Sequence, residues 1–521
     1  MRAAGPRRHS RVRESDHVRA HVETKVRGIR GQLVTQQPGG EAAGAAAELQ
    51  HHRGLREGAV GRKGVEGAAL AEGSRVLGAA DEIVEPSRLP VSDEPLRHSE
   101  VILLASPQRL AVAVLRRGCR LAPAGGGCPH SSERRLPPAP EVPEASLRIE
   151  PFFVEQWMNA HETTATWNIA ETCVHSLTLD ELLELSGDAD GVLRRLRETW
   201  LGYGEITGSP RLRAAIAALY GARITADHVL TANGAIGANF LALYALVEPG
   251  TTVVSVQPTY QQLFSVPESL GAEVRELRLR EEDGYLPDVD ALRALTDERT
   301  RLLVLNNPNN PTGALIDEPL LREIVEVARE RDAWLVCDEV YRRLEHEPGT
   351  TAPSVADLYE KGVSSGSMSK SYSLAGLRTG WVAGPREVIE RCLDVRDYTT
   401  ISAGVLDDAL ATVALEHVDA VLERSLEIVR GNLAAVDAWI AREPRLRYVR
   451  PRAGTTALVR YDYDVPSVDF CQSMFDLNGA FVMPGIAFGE EHSFRLGYAC
   501  ARDVLEGGLD AVSAYLRSLE G

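Results

Sequence analysis

Lysine is the scarcest charged residue in this 521-residue chain: it occurs only as Lys25, Lys63, Lys361 and Lys370, and arginine supplies nearly all the other positive charge. In such a composition each remaining lysine raises the question of what arginine could not do in its place. Long apolar runs are also missing. None reaches the ~20 residues of a membrane-spanning helix, and the longest suspect, "VILLASPQRLAVAVL" at 101–115, is interrupted by Gln108 and Arg109. The chain therefore reads as soluble and cytoplasmic, with no membrane partner. Its seven cysteines (Cys119, Cys128, Cys173, Cys337, Cys392, Cys471 and Cys500) show no paired spacing, which excludes a disulfide framework and suits reduced thiols. Cys119, Cys128 and His130 fall close together but lack a fourth ligand, so no metal site is expected. The Arg-rich start is not followed by an apolar core, as a secretory leader requires.

The formal charge of −17 conceals a division. Residues 1–147 hold 22 Lys+Arg against 17 Asp+Glu, a balance of +5; the remainder holds 35 against 57, or −22. The first part, rich in Ala, Gly, Arg and Pro, keeps no sustained helical or strand period. It reads as a disordered extension or as upstream sequence translated from a start assigned too early. From about residue 148 the pattern becomes ordered. A lead-in segment (148–195) joins a smaller domain. Short β-rich runs such as "TTVVSV", "RLLVLNN", "AWLVCDE" and "GWVAGP" then alternate with helical stretches, Ser209 and Pro210 opening one of them. That alternation predicts an α/β large domain (196–415) with a mostly parallel sheet, and a small C-terminal α+β domain (416–521). One long helical stretch is expected over 404–441.

Five features fall at predicted strand ends, where open α/β sheets bind ligands. "TANGAIGANF" (231–240) is a glycine-bearing turn opening into a helix, whose free N–H groups suit a phosphate; it also reads as a plain tight turn. "NNPNNPTG" (306–313) interleaves asparagine and proline into a rigid loop able to hold an amide at a fixed point. "WLVCDEVYRRL" (334–344) ends an apolar strand in Asp338, placed to pair with a buried cation or to cap a helix. "SGSMSKSYSLAGLRTGW" (365–381) holds Lys370 between serines, with Arg378 eight residues on. A lysine that can lose its proton can form a Schiff base, whereas arginine stays protonated. "FRLGYA" (494–499) puts Arg495 on a strand, where its two-pronged guanidinium suits a carboxylate.

Taken together, over roughly 149–521, these stretches resemble the fold-type I pyridoxal-phosphate (PLP) enzymes of the class I/II aminotransferase family. "NPNNPTG", "DEVY" and "SMSKSYSLAGLRTGW" carry the likeness by their order and spacing. The resemblance implies a seven-stranded, mostly parallel sheet and a Schiff base between PLP and Lys370. It implies that Asp338 pairs with the pyridine nitrogen and that Asn310 and Tyr341 bond the ring's phenolic oxygen. Ala235, Ile236, Ser367 and Arg378 would bind the phosphate, Tyr260 would stack on the ring, and Arg495 would hold the substrate α-carboxylate. Tyr203, in "LGYGEITGSPRLR", matches a tyrosine that reaches the phosphate of a neighbouring subunit, which implies a homodimer. The implied activity is transfer of an amino group between an L-amino acid and a 2-oxo acid.

The segment "WNIAETCVHSLTLDELLEL" (167–185) resembles a branch of capreomycidine synthase-like proteins and, more loosely, PLP-dependent arginine oxidases. Oxidase or cyclase chemistry on the same carbanion is thus an alternative outcome. Glu171, with Thr172, reads equally as a contact for a cationic substrate and as part of a helix cap. His175 reads as a packing residue or a site residue. A third alternative, a transcription regulator with an aminotransferase-like domain, calls for a helix-turn-helix that 1–147 do not show, so no nucleic-acid partner is expected.

Overall fold

The computed structural model describes residues 100–106, 109–115 and 149–520; Cys119, Cys128 and His130 lie outside the described residues. The chain divides into two compact units, 1–132 and 133–521. In the first, β1 (Glu100–Ser106) pairs antiparallel with β2 (Arg109–Leu115), Ser106 opposite Arg109. The interrupted apolar run of 101–115 supplies both strands.

The second unit begins with a helix, Phe153–His161, and a two-residue strand, β3 (Trp167–Asn168). Its central sheet follows: β4 (Val229–Asn233), β5 (Thr252–Gln257), β6 (Glu273–Arg278), β7 (Thr300–Asn306), β8 (Trp334–Asp338), β9 (Gly362–Ser367) and β10 (Thr379–Ala383). Their spatial order is β4-β10-β9-β8-β7-β5-β6. Only β10 runs antiparallel to its neighbours, so the sheet is mostly parallel, as the strand–helix alternation predicts. Strands β7, β8 and β9 are buried almost throughout, because helices cover both faces. Fully buried side chains such as Val336 and Val363 each contribute about 1.5–3 kcal/mol through loss of apolar surface to water.

Local signals fix the covering helices. Ser209 accepts from the Leu212 N–H and Pro210 occupies the first turn of Pro210–Ala217, as expected. Helix Glu318–Glu330 starts at Asp317, which accepts from Leu320 N–H, and buries Leu321, Ile324, Val325 and Ala328 on one face. The 404–441 stretch is not one helix but two, Val405–Glu416 and Val418–Ile440. His417 interrupts them with a non-helical backbone (φ −118°, ψ 33°), and no proline or glycine signals the break.

The smaller layer contains β11 (Leu446–Tyr448), β12 (Thr456–Tyr461), β13 (Ala480–Phe481), β14 (Met483–Pro484) and β15 (Ser493–Gly497). Four of these form an antiparallel sheet in the order β11-β12-β15-β14, while β13 pairs parallel with β3. The lead-in segment is tied to this layer. Trp157 Nε1 donates to the Val482 carbonyl (3.0 Å), and the Gly497 N–H donates to the Ile169 carbonyl (2.8 Å).

Candidate active site

Register places Asn306, Asp338 and Ser365 side by side at the C-terminal ends of β7, β8 and β9. Asn306 and Asp338 face a cavity of about 340 Å³ whose walls include Lys370, Tyr341, Asn310, Arg495, Tyr260 and Glu171. Ala235, Ile236, Ser367, Arg378 and Thr172 line it too. His175, and Tyr203, which the resemblance assigns to a neighbouring subunit's phosphate, are off these walls. Tyr203 is 76% exposed on the surface. The His175 side chain is also exposed, and its backbone is engaged by Ala499 (2.7 Å) and Arg424 (2.9 Å).

Asp338 is buried at the rim of the sheet. Its Oδ2 accepts from Asn239 Nδ2 at 2.7 Å and its Oδ1 from the Val340 N–H at 3.2 Å. Asn239 is oriented in turn by the Ser365 hydroxyl, which donates to its Oδ1 at 2.5 Å. Burial pushes the Asp338 carboxyl above its usual range, only partly opposed by the Asn239 and Val340 hydrogen bonds and by the more distant Lys370 charge. Among the described residues no cation pairs with it. A buried carboxylate in that state fits the positive ring nitrogen of PLP, which would supply the missing charge.

The turn that carries Lys370 is latched to the end of β8: Ser371 Oγ donates to the carbonyls of Val340 (3.0 Å) and Arg342 (2.9 Å). Lys370 Nζ donates to Thr172 Oγ1 at 2.6 Å and to Cys173 Sγ at 3.3 Å, with Glu171 Oε1 at 3.9 Å. Burial presses the amine's pKa down, but Cys173, Tyr341 and Glu171 outweigh it and hold Lys370 above its ordinary value. Glu171 answers in kind. Burial acts to raise its carboxyl, yet Lys370 and the N–H groups of Thr172 and Cys173 hold it down at about 2. The capping box of helix Leu179–Leu185 is made by Thr178 and Glu181, while Glu171 lines the cavity.

An anion cradle lies at the start of helix Gly234–Leu246. Asn233 makes no side-chain cap, so the first helical N–H groups are left for another acceptor. Gly234 adopts φ +65°, and a Cβ there would stand 2.8 Å from Arg378 Nη2, so only glycine leaves the guanidinium in place. These donors, with Ser367 beside them, suit the phosphate of PLP. Arg495 is buried and bonds Asn310 Oδ1 (3.2 Å) and the Ala170 carbonyl (3.0 Å), while its Nε has no partner. The other asparagines of "NNPNNPTG" are occupied in holding the loop. Asn306 Oδ1 accepts from the Asn310 N–H (2.7 Å), and Asn309 Nδ2 donates to the Pro258 carbonyl (3.2 Å). The Asn310 and Asn307 bonds to their prolines are cis. Tyr260 donates to Glu155 Oε1 at 2.6 Å, which fixes its ring at the cavity wall.

Sequence reading missed four contributors. Asn239 sits in the helix behind the "GAIG" turn, and Cys173 is adjacent to the singled-out Glu171 and Thr172. Helix Phe153–His161 and the turn after it bring Glu155 and Glu162 to the wall. Burial, together with Glu171 and Glu155, raises the Glu162 carboxyl. The repeated acidic residues of "VEQWMNAHE" are the signal that pointed there.

Residues 176–512 match the family model described as aminotransferase class I and II. Capreomycidine synthase of Streptomyces vinaceus is 36% identical over 365 residues, covering 70% of this chain and 93% of that protein. A PLP-dependent aminotransferase from Streptococcus suis superposes with a TM-score of 0.69 at 43% identity, over 71% of this chain and 98% of its own. The PLP-dependent cyclase OrfR superposes with a TM-score of 0.67 at 29% identity, over 71% and 98%. The chain therefore belongs to the class I and II aminotransferase family, and its cofactor is pyridoxal phosphate.

Proposed function

We propose that this protein transfers an amino group between an L-amino acid and a 2-oxo acid, with Lys370 as the covalent and proton-transferring residue. The observation that carries the reading is the pairing of two opposite wants in one cavity: a buried Asp338 without a cation and a buried Arg495 without a carboxylate among the described residues. PLP, when bound, supplies an electron sink for the bond broken at the substrate α-carbon. Asp338 keeps the ring nitrogen positive. Arg495 and Asn310 orient the α-carboxylate, and Lys370 Nζ, once free, takes the α-proton and returns it. Thr172 and Tyr341 line the same cavity beside the lysine.

Glu155, Glu162 and Glu171 form an acidic wall in that cavity, which supports an amino donor with a cationic side chain. The homodimer implied by Tyr203 is part of the proposal. Trp200, Leu201 and Tyr203 expose large apolar surface together, as a partner-binding face does. The alternative that a specific observation favours is cyclisation of a basic amino acid, because capreomycidine synthase is among the relatives. One experiment separates the two. The purified protein is offered arginine, ornithine, lysine, aspartate and leucine, and oxo-acid formation is followed with and without a 2-oxo acid acceptor and oxygen. Acceptor-dependent oxo acid supports transfer. A basic amino acid carrying a β-hydroxyl is offered as well: a cyclic product formed from it with loss of water and without acceptor supports cyclisation, and acceptor-independent oxygen uptake would overturn both.

A further inference from the structure

Lys370 must leave the cofactor when substrate binds and return when product departs, so the enzyme needs a defined place for the free amine. We infer that Thr172 and Cys173 are positioning residues forming a two-point rest for the released Lys370 amine, an inference that rests on Lys370 being the cofactor lysine. The contacts are direct: Nζ lies 2.6 Å from Thr172 Oγ1 and 3.3 Å from Cys173 Sγ, with Glu171 Oε1 at 3.9 Å. The acceptors differ in strength by design of their atoms, an oxygen at full hydrogen-bond distance and a soft sulfur that accepts weakly. The rest therefore holds the amine without trapping it.

The loop that carries the rest is itself rigid. Asn168 Oδ1 accepts from the Ala170 and Glu171 N–H groups (both 3.2 Å), and Glu171 Oε1 accepts from the Thr172 (2.7 Å) and Cys173 (2.8 Å) N–H groups. Thr455 Oγ1 donates to the Thr172 carbonyl at 2.7 Å. Thr172 also hydrogen-bonds Tyr341. The groups that act on Lys370 electrostatically are Glu171 and Cys173 on this loop, Tyr341 and Asp338 at the end of β8, and Glu162 after the first helix. Burial pushes the Cys173 thiol up to about 11, and its side chain hydrogen-bonds both Lys370 and Glu171.

The scarcity of lysine makes the test clean. Full-length protein stripped of cofactor is pulse-labelled with an amine-acylating reagent across pH, and Lys370 is quantified by mass spectrometry against Lys361, which pairs with Asp332 in the same molecule. Removing an acceptor from a charged donor should make the proton easier to lose. Thr172→Val is expected to lower the pH midpoint for Lys370 labelling by about one unit, a tenfold change at fixed pH. Cys173→Ala should lower it less, and Thr172→Ser should restore it. In the loaded enzyme Thr172→Val should reduce kcat while KM stays put. Unchanged midpoints in both Thr172→Val and Cys173→Ala, with Lys361 labelling and melting as in wild type, would overturn the inference. Reductive trapping of PLP, found on Lys370 or on another lysine, tests the underlying assignment separately.

Discussion

Replacing Asp338 by asparagine separates the two roles of one buried carboxylate. The side chain keeps its shape, and Oδ1 can still accept from the Val340 N–H at 3.2 Å. The amide nitrogen, however, meets Asn239 Nδ2, which now donates at 2.7 Å, so Asn239 must flip and Ser365 must reverse its hydroxyl. A hydroxyl can donate or accept, so the network survives. What does not survive is the negative charge opposite the cofactor's ring nitrogen. Losing one preorganised electrostatic partner in a buried site costs about 2.7–4 kcal/mol of barrier, or about 10²–10³ in kcat. Stability should move the other way. Burial raises Asp338 above its unfolded pKa, so the ionised carboxylate destabilises the cofactor-free fold at pH above the unfolded value. Asp338→Asn removes that burden. Its melting temperature without cofactor should exceed wild type at pH 8, and the difference should vanish as pH falls below the usual aspartate range. Turnover is measured at saturating PLP, and melting by calorimetry on stripped protein. Wild-type kcat, or a lower melting temperature at pH 8, would refute the reasoning.

Other expectations follow from single contacts. Arg495→Lys replaces a two-pronged guanidinium by one ammonium, and KM for the amino acid should rise at least about tenfold; steady-state kinetics with an unchanged KM would remove Arg495 from the carboxylate role. Gly497→Ala places a Cβ 1.9 Å from the Glu171 carbonyl, so the variant should lose about 1–3 kcal/mol of stability in urea titration, and much of its activity. Glu171→Gln should lower stability at neutral pH. Because the folded carboxyl titrates near 2 and the free one near 4.5, the wild-type advantage should shrink as pH falls through that window, and a constant gap would count against the Lys370 and N–H contacts. Glu155→Gln should weaken discrimination between ornithine and leucine as donors. Equal preference before and after the change would dismiss the acidic wall as a selector.

The parts of the site legible in sequence share one property: each lies in a short contiguous stretch at a strand end. Lys370, Asp338 and Asn310 could be read because strand and loop chemistry is local, and the large-domain sheet could be read because parallel strands and covering helices alternate. The groups that act across the fold were not legible. Cys173 and Lys370 are 197 positions apart, and nothing at Cys173 states which side chain it will meet. His175, two residues on, has a more suggestive chemistry but projects outward, since Val174 takes the buried position between them. Asn239 lies mid-helix, where its polarity is visible but its target on β8 is not. The break at His417 was missed for the converse reason: apolar periodicity resumes after it, so the pattern reads as one helix.

The close approach of Gly497 to the Glu171 backbone has a consequence for engineering. Residues 168–173 give Arg495 one anchor through the Ala170 carbonyl and give Lys370 its two acceptors, while β15 carries Arg495 itself. Segment and strand are thus a single cassette. A transplant of the segment alone into a relative would misalign the carboxylate grip, and a transplant of β15 alone would displace the lysine's acceptors. Specificity in this fold should be exchangeable only by moving both pieces together.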